Sequence, residues 1–224
     1  MFGCSGNFMV ALLTIWLNYM AKKIPPQTTE EKILAAAKKV FIAKGLAGAR
    51  MQDIADEAGI NKALLHYYFR SKEKLFEMIF TSAAQKLFPK INFIFESDLP
   101  LFQKIEQFCH EYLEVMIENP YLPAFLINEI NQDPERFIEK IWGKENLPRP
   151  KKFLEQIERE VKKGTIKKIS PVHLFMNLIS MTVFPFVGKS MFRLNMQIDD
   201  AQFKLLMEQR KKEIPRFIID SIKK

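Results

Sequence analysis

Three histidines, His66, His110 and His173, and two cysteines, Cys4 and Cys109, are the side chains here most suited to nucleophilic, acid–base or metal chemistry. Their spacing supports none of it. The cysteines lie far apart and match no metal-ligand pattern, and a disulfide-stapled secreted domain is not expected. There is no Gly-x-Ser-x-Gly nucleophile elbow. Gly188-Lys189-Ser190 has the tail of a phosphate-binding loop, but the glycine required five residues earlier is Val183, so the loop cannot form. No carboxylate–histidine cluster suggests a metal. No enzyme activity, catalytic residue, metal or cofactor is expected.

The chemistry that remains is ionic. The chain carries a formal charge of +8, with a pI near 9.3. Residues 21–72 hold ten Lys/Arg against five acids, whereas residues 73–224 hold 24 against 21. The basic excess is therefore concentrated near the N-terminal end. Such a balance suits a polyanion, either nucleic acid or an anionic membrane. Charge alone leaves equally open a basic protein with neither partner.

The elements that must place these charges are helices. The 224 residues include 20 Phe and 11 Met against eight Gly, and 48% are apolar. That length can bury a real core, and the composition excludes disorder as the default. Thr28 or Thr29 caps a first helix, which Gly45 stops. Shorter helices follow over about 51–58 and 62–68, the second behind the N-cap Asn61. A fourth starts at Ser71, with Pro89 as its latest end. Further helical patterns cover about 101–119, 122–131, 135–142 and 151–163, the last closed by Gly164. An apolar helix from Ser170-Pro171 runs to about Phe192 and is disturbed at Pro185. Asp199 opens the last helix. No β alternation or repeat is present, so the chain is all-α.

Residues 8–17, Phe-Met-Val-Ala-Leu-Leu-Thr-Ile-Trp-Leu, are too few to span a bilayer. No Lys or Arg precedes them, as a signal peptide would require. Residues 1–20 are read as an extension. Either Met20 is the true start, with Met-Ala-Lys-Lys as a cytosolic opening, or the stretch is a loosely ordered segment, an extra helix or a membrane anchor.

Met51 to Phe69, MQDIADEAGINKALLHYYF, has the pattern that two short crossing helices need. Ile54, Ala58, Ile60, Leu65 and Tyr68 are placed to share a small core. Ala55 is small where the second helix crosses closely, and Gly59 supplies a turn in which a side chain would be strained. An ordinary helical hairpin needs less than this set. The second helix of such a pair can enter the major groove of DNA while the first braces it.

The stretch Ile33–Phe80 resembles the DNA-binding domain of the TetR family of regulators. The resemblance rests on Val40-Phe41-x-x-Lys44-Gly45, then Asp53-Ile54-Ala55-x-x-Ala58-Gly59-Ile60. Lys62-x-x-Leu65-x-Tyr67-Tyr68-Phe69 and Ser71-Lys72-Glu73-x-Leu75-Phe76 complete it. The family implies an all-α fold: a three-helix helix-turn-helix DNA-binding domain followed by a larger helical ligand-binding and dimerisation domain (about nine helices). In residue ranges, 21–75 form the DNA-binding domain and 76–224 the larger domain.

The resemblance also implies roles. Lys62 and Tyr67 match positions that contact phosphate or bases, together with the neighbouring Ala63. Lys72 matches a lysine that clamps a backbone phosphate beside a helix N-terminus. Phe69 is expected to pack under the recognition helix. Three positions depart from the family pattern. Arg50 stands where a capping Thr is usual, so the cap must come from elsewhere and Arg50 is free for a phosphate. Leu64 cannot bond a phosphate but can meet a thymine methyl. His66 replaces a phosphate-binding Tyr and can still donate.

In the larger domain the family implies that the last two helices, about 170–192 and 199–221, pair with their copies in a homodimer. An apolar effector pocket is expected among Phe108, Tyr112, Met116, Phe125, Asn128, Phe175, Met176 and Ile179, although such residues also fill ordinary cores. The implied protein is a cytoplasmic, ligand-responsive repressor. It binds palindromic double-stranded operator DNA as a dimer, is released by an apolar small molecule, and has no membrane role. The alternative is a helical membrane-surface or scaffolding protein that uses residues 8–17.

Overall fold

Thr28 begins the ordered helices by a reciprocal cap. Its hydroxyl accepts from the Glu31 N–H at 3.2 Å, and the Glu31 carboxylate accepts from the Thr28 N–H at 2.9 Å. The structure is a computed structural model that describes residues 28–133, 135, 139 and 150–224. The expectation for residues 1–20, and all but residues 135 and 139 of the helix expected over 135–142, lie outside the described residues.

Ten helices follow in chain order among the described residues: α1 Thr29–Gly48, α2 Met51–Ala58, α3 Lys62–Tyr68, α4 Lys72–Glu96, α5 Leu101–Glu118, α6 Leu122–Gln132, α7 Lys151–Lys163, α8 Pro171–Val187, α9 Lys189–Met196 and α10 Asp200–Ile222. The only β feature among these residues is an isolated bridge between Ile166 and Lys223, where the Lys167 N–H donates to the Ile222 carbonyl at 2.7 Å.

α1 packs on α2 and α4, and α2 on α3, forming an N-terminal head. The body is built around α5, which packs most extensively against α10 and also against α4, α7 and α8. α4 belongs to both parts. Its first turns bury Leu75, Phe76 and Ile79, and its last turns bury Ile91, Ile94 and Phe95. An aromatic joint connects head and body. Phe76 lies edge-on to Phe41 at 5.3 Å and to Tyr121 at 5.5 Å, and 4.1 Å from Phe125. Rings at such spacings add attraction beyond the area they bury.

Three helix boundaries differ from the sequence expectation. Gly45 kinks α1 rather than ending it. It takes φ +66°, ψ 173°, a region almost reserved to glycine, and one further turn runs to Gly48. Pro89 does not end α4, which continues to Glu96. Proline removes one donor, but Leu87, Ile91, Ile94 and Phe95 around it are buried, and their packing outweighs the lost bond. The helix expected to reach Phe192 passes through Pro185 and breaks at Gly188, where α8 and α9 meet at 69°. No single helix among the described residues is long and apolar enough to cross a membrane. The bent α8–α9 pair reaches that length and composition only when counted together.

Candidate nucleic-acid interface

The turn between α2 and α3 forms as local chemistry dictates. Gly59 sits in the left-handed region at φ +66°, ψ 33° and closes α2. The Ile60 N–H then donates to the Ala55 carbonyl at 3.0 Å. This pairing is a glycine C-cap, and Gly is favoured there because it lacks a Cβ. Asn61 opens α3, its side-chain oxygen accepting from the Leu64 N–H at 2.7 Å. Ile54, Ala55 and Leu65 are fully buried between the helices, and Ala58 and Ile60 are half-buried. Tyr68, expected in this core, is exposed, and Phe69 is buried in its place.

The face of α3 follows from helical periodicity. Positions advance about 100° per residue, so Ala63 and Tyr67 stand opposite Leu65. Both are exposed, Tyr67 at 82%, and its ring lies edge-on to Tyr68 at 5.5 Å. Lys62 and His66 border this face on one side and Leu64 on the other, all exposed. The His66 Nδ1 lies 3.3 Å from the Arg70 carbonyl oxygen. The structure therefore brings Lys62, Ala63, Leu64, His66 and Tyr67 onto one outward surface.

Arg50 stands exposed just before α2, and its side chain caps nothing. The cap comes from Asp53, whose carboxylate accepts from the Arg50 N–H at 3.1 Å. Lys44 pairs with the same carboxylate at 2.9 Å, and that hydrogen bond holds the Asp53 carboxyl below its ordinary range. An acid three residues past the cap was the available sequence signal. Lys39 and Glu57, 2.7 Å apart, tie α1 to α2.

Lys72 is held differently from the other candidates. Its ammonium donates to the carbonyl oxygens of Leu46, Ala47 and Ala49 at 2.9, 3.3 and 3.1 Å. These are carbonyls at the end of α1 that no further helical turn can satisfy. Sequence reasoning missed this bond because the partners lie more than twenty residues upstream.

Residues 33–79 match the profile of the bacterial regulatory proteins of the tetR family, and this span coincides with the head built on the Gly59 turn and with the start of α4. Over these residues the chain is similar to the DNA-binding domain of the tetR family. It is similar to the uncharacterised HTH-type transcriptional regulator YhgD of Bacillus subtilis, 26% identical over 149 residues, which are 62% of this chain and 72% of that protein. It is also similar to the HTH-type transcriptional regulator RutR of Escherichia coli K12, 28% identical over 154 residues, covering 68% and 71% of the two chains. The fold is that of the solved ketosteroid transcriptional regulator KstR2 of Mycobacterium tuberculosis, with a TM-score of 0.62 at 14% identity and coverage of 89% and 97%. At the level of the family these likenesses support a DNA-binding transcriptional regulator. Among the described residues, no group of three or more His, Cys, Asp or Glu side chains is placed to hold a metal.

The residues expected to line a TetR effector pocket fall into separate places. Phe108 stacks on Phe95 at 5.4 Å and on Tyr112 at 5.8 Å, and Phe175 meets Phe95 edge-on at 5.9 Å. Burial pushes the Tyr112 hydroxyl far above its ordinary range. Met116 is buried, and Ile179 is half-buried against the same core. Phe125 and Asn128 instead border a groove of about 750 Å³ at the junction of head and body, with Lys72 and Arg193. Met176 is 55% exposed on the outer face of α8.

Proposed function

We propose that this TetR-family protein is a cytoplasmic, ligand-responsive repressor that binds a palindromic operator as a homodimer. The outward face of α3 carries the reading. Tyr67, Ala63 and Leu64 are placed for base edges and thymine methyls, with Lys62, His66 and Arg50 for phosphates. Lys72 adds a positive charge beside the α4 N-terminus. One short helix reads too few bases to specify a site, so two copies on a palindrome are needed.

The exposed stripe Val172, Met176 and Phe184 on α8, with Phe217 on α10, supports pairing of two copies. Release by an apolar small molecule is supported by the aromatic interior around Phe108, Tyr112, Met116, Phe175 and Ile179, with Phe125 and Asn128 at the junction. The name of KstR2, a ketosteroid regulator, agrees with an apolar effector. A ligand that prefers one spacing of the two heads shifts the population and so the operator affinity.

The test is selection from random duplexes with the full chain, followed by fluorescence anisotropy on the enriched sequence. Enrichment of an inverted repeat is expected, with Tyr67→Ala weakening binding about tenfold, the scale of one good base contact. Lys62→Ala is expected to flatten the dependence on salt. Selection that yields no inverted repeat, or Tyr67→Ala that binds as wild type, overturns the reading.

A further inference from the structure

His66 lies in the last turn of α3 and is exposed. Of its two ring nitrogens, Nδ1 is 3.3 Å from the Arg70 carbonyl oxygen. A carbonyl oxygen only accepts, so Nδ1 must carry the hydrogen in this contact. The bond therefore settles the tautomer. In the neutral ring the other nitrogen, Nε2, is left as a lone pair. It becomes an N–H donor only when the ring takes up a second proton.

What the α3 surface offers at this position thus depends on charge state. A phosphate oxygen accepts and cannot donate. The lone pair of the neutral ring repels it, and the imidazolium bonds it. Around the ring stand Lys62, Tyr67 and the Arg70 side chain of the same stretch, all exposed. Lys72, Glu73 and Lys74 open α4 just beyond. The acids of α2, the helix packed on α3, are held elsewhere: Asp53 by Lys44, Asp56 by Gln52 and Glu57 by Lys39. No carboxylate among the described residues pairs with the ring. The anion for Nε2 is left for a partner to supply.

We propose that His66 couples operator binding to a proton. Its Nε2–H donates to a backbone phosphate as imidazolium only, because Nδ1–H is committed to the Arg70 carbonyl. Where the free ring is neutral, each head takes up one proton from solvent as the complex forms. The complex then holds more protons than its separate parts, so affinity is greatest at low pH and falls as pH rises. This rests on α3 being the DNA-facing helix, as proposed above.

The test is fluorescence anisotropy of the full chain on the duplex enriched by selection, at about pH 6 and about pH 8, which bracket the usual titration of histidine. Binding is expected to be at least about tenfold tighter at the lower pH, the scale of one charge-assisted bond. The slope of log affinity against log salt is expected to be steeper there by about one for each head. His66→Tyr, whose hydroxyl donates at both pH values, is expected to abolish the difference. His66→Phe, which has no donor, is expected to bind at both about as weakly as wild type does at the higher pH. His110→Gln combined with His173→Gln is expected to keep the full dependence, with circular dichroism showing that every variant keeps its helices. Binding that is indifferent to pH overturns this proposal alone, because the ring then donates as the other neutral tautomer. A pH dependence that survives in His66→Phe, or vanishes in the His110 and His173 double variant, overturns it as well. Absence of binding at either pH overturns the reading of α3 and this proposal with it.

Discussion

Lys72 has two calls on one ammonium. In the free protein it closes the end of α1 by donating to three carbonyls within 3.3 Å. On the proposed function the same charge, at the start of α4 where backbone N–H groups also favour an anion, would meet an operator phosphate. The first role predicts a loss of stability that a purely DNA-facing lysine would not show. Lys72→Met is expected to lower unfolding free energy by about 1–3 kcal/mol, the cost of leaving partly buried acceptors unpaired, with Lys72→Arg recovering part of it. Urea titration measures this without DNA. An unchanged urea midpoint would leave Lys72 only its contact with phosphate. Tyr67 is the contrasting residue. At 82% exposure it touches little of its own protein, so its replacement should alter operator affinity and hardly move stability.

At the scale of elements, the head depends on how α1 ends. Gly45 holds φ +66°, ψ 173°, and the kink it permits lets the last turn of α1 bring Leu46, Ala47 and Ala49 to Lys72. A side chain there is strained even though the space around it is open. Gly45→Ala is therefore expected to destabilise by about 1–3 kcal/mol. Gly48, three residues on, has ordinary φ and would place a Cβ 3.5 Å from the Lys44 Cβ, a normal contact. Gly48→Ala is expected to be neutral or slightly stabilising. Paired chemical denaturation curves read the difference, and equal midpoints for the two variants would show that the kink does not bear on the fold. Gly59 acts similarly between α2 and α3, where the left-handed turn aims the recognition helix.

For the whole molecule, the proposed dimer requires a surface that sets two heads at one distance. Val172, Met176, Ser180 and Phe184 recur every four residues on α8 and are all exposed. A self-complementary two-fold interface needs such a stripe on each copy, and a stable one buries about 1,200–2,000 Å² in total. Met176→Glu combined with Phe217→Glu is expected to shift sedimentation from dimer to monomer. Operator affinity should fall at least about tenfold, because each head then binds alone. Wild type that sediments as a monomer at operator-binding concentrations would remove the two-fold reading, while leaving the fold of each head untouched.

The outward face of α3 was legible from the residues alone because its causes are local. Helix caps, the left-handed turn at Gly59 and the division of α3 into a buried Leu65 and an outward Tyr67 all follow from sterics and hydrogen bonds within a few positions. The same locality explains why Asn61, Ser71 and Asp199 begin helices as expected. Other features depended on groups distant in the chain. Pro89 reads as a stop until the buried packing around it holds α4 straight through. Lys72 reads as a free cation until α1 presents its carbonyls. The effector residues read as one set until the fold sends Met176 to the surface and stacks Phe108 in the core. The amino-acid sequence by itself determined the helices, the basic head and which side chains of α3 face outward. Only the tertiary structure decided which cations are occupied and which apolar side chains are covered. Those outcomes depend on how distant segments pack in three dimensions, and neighbouring residues do not encode that path.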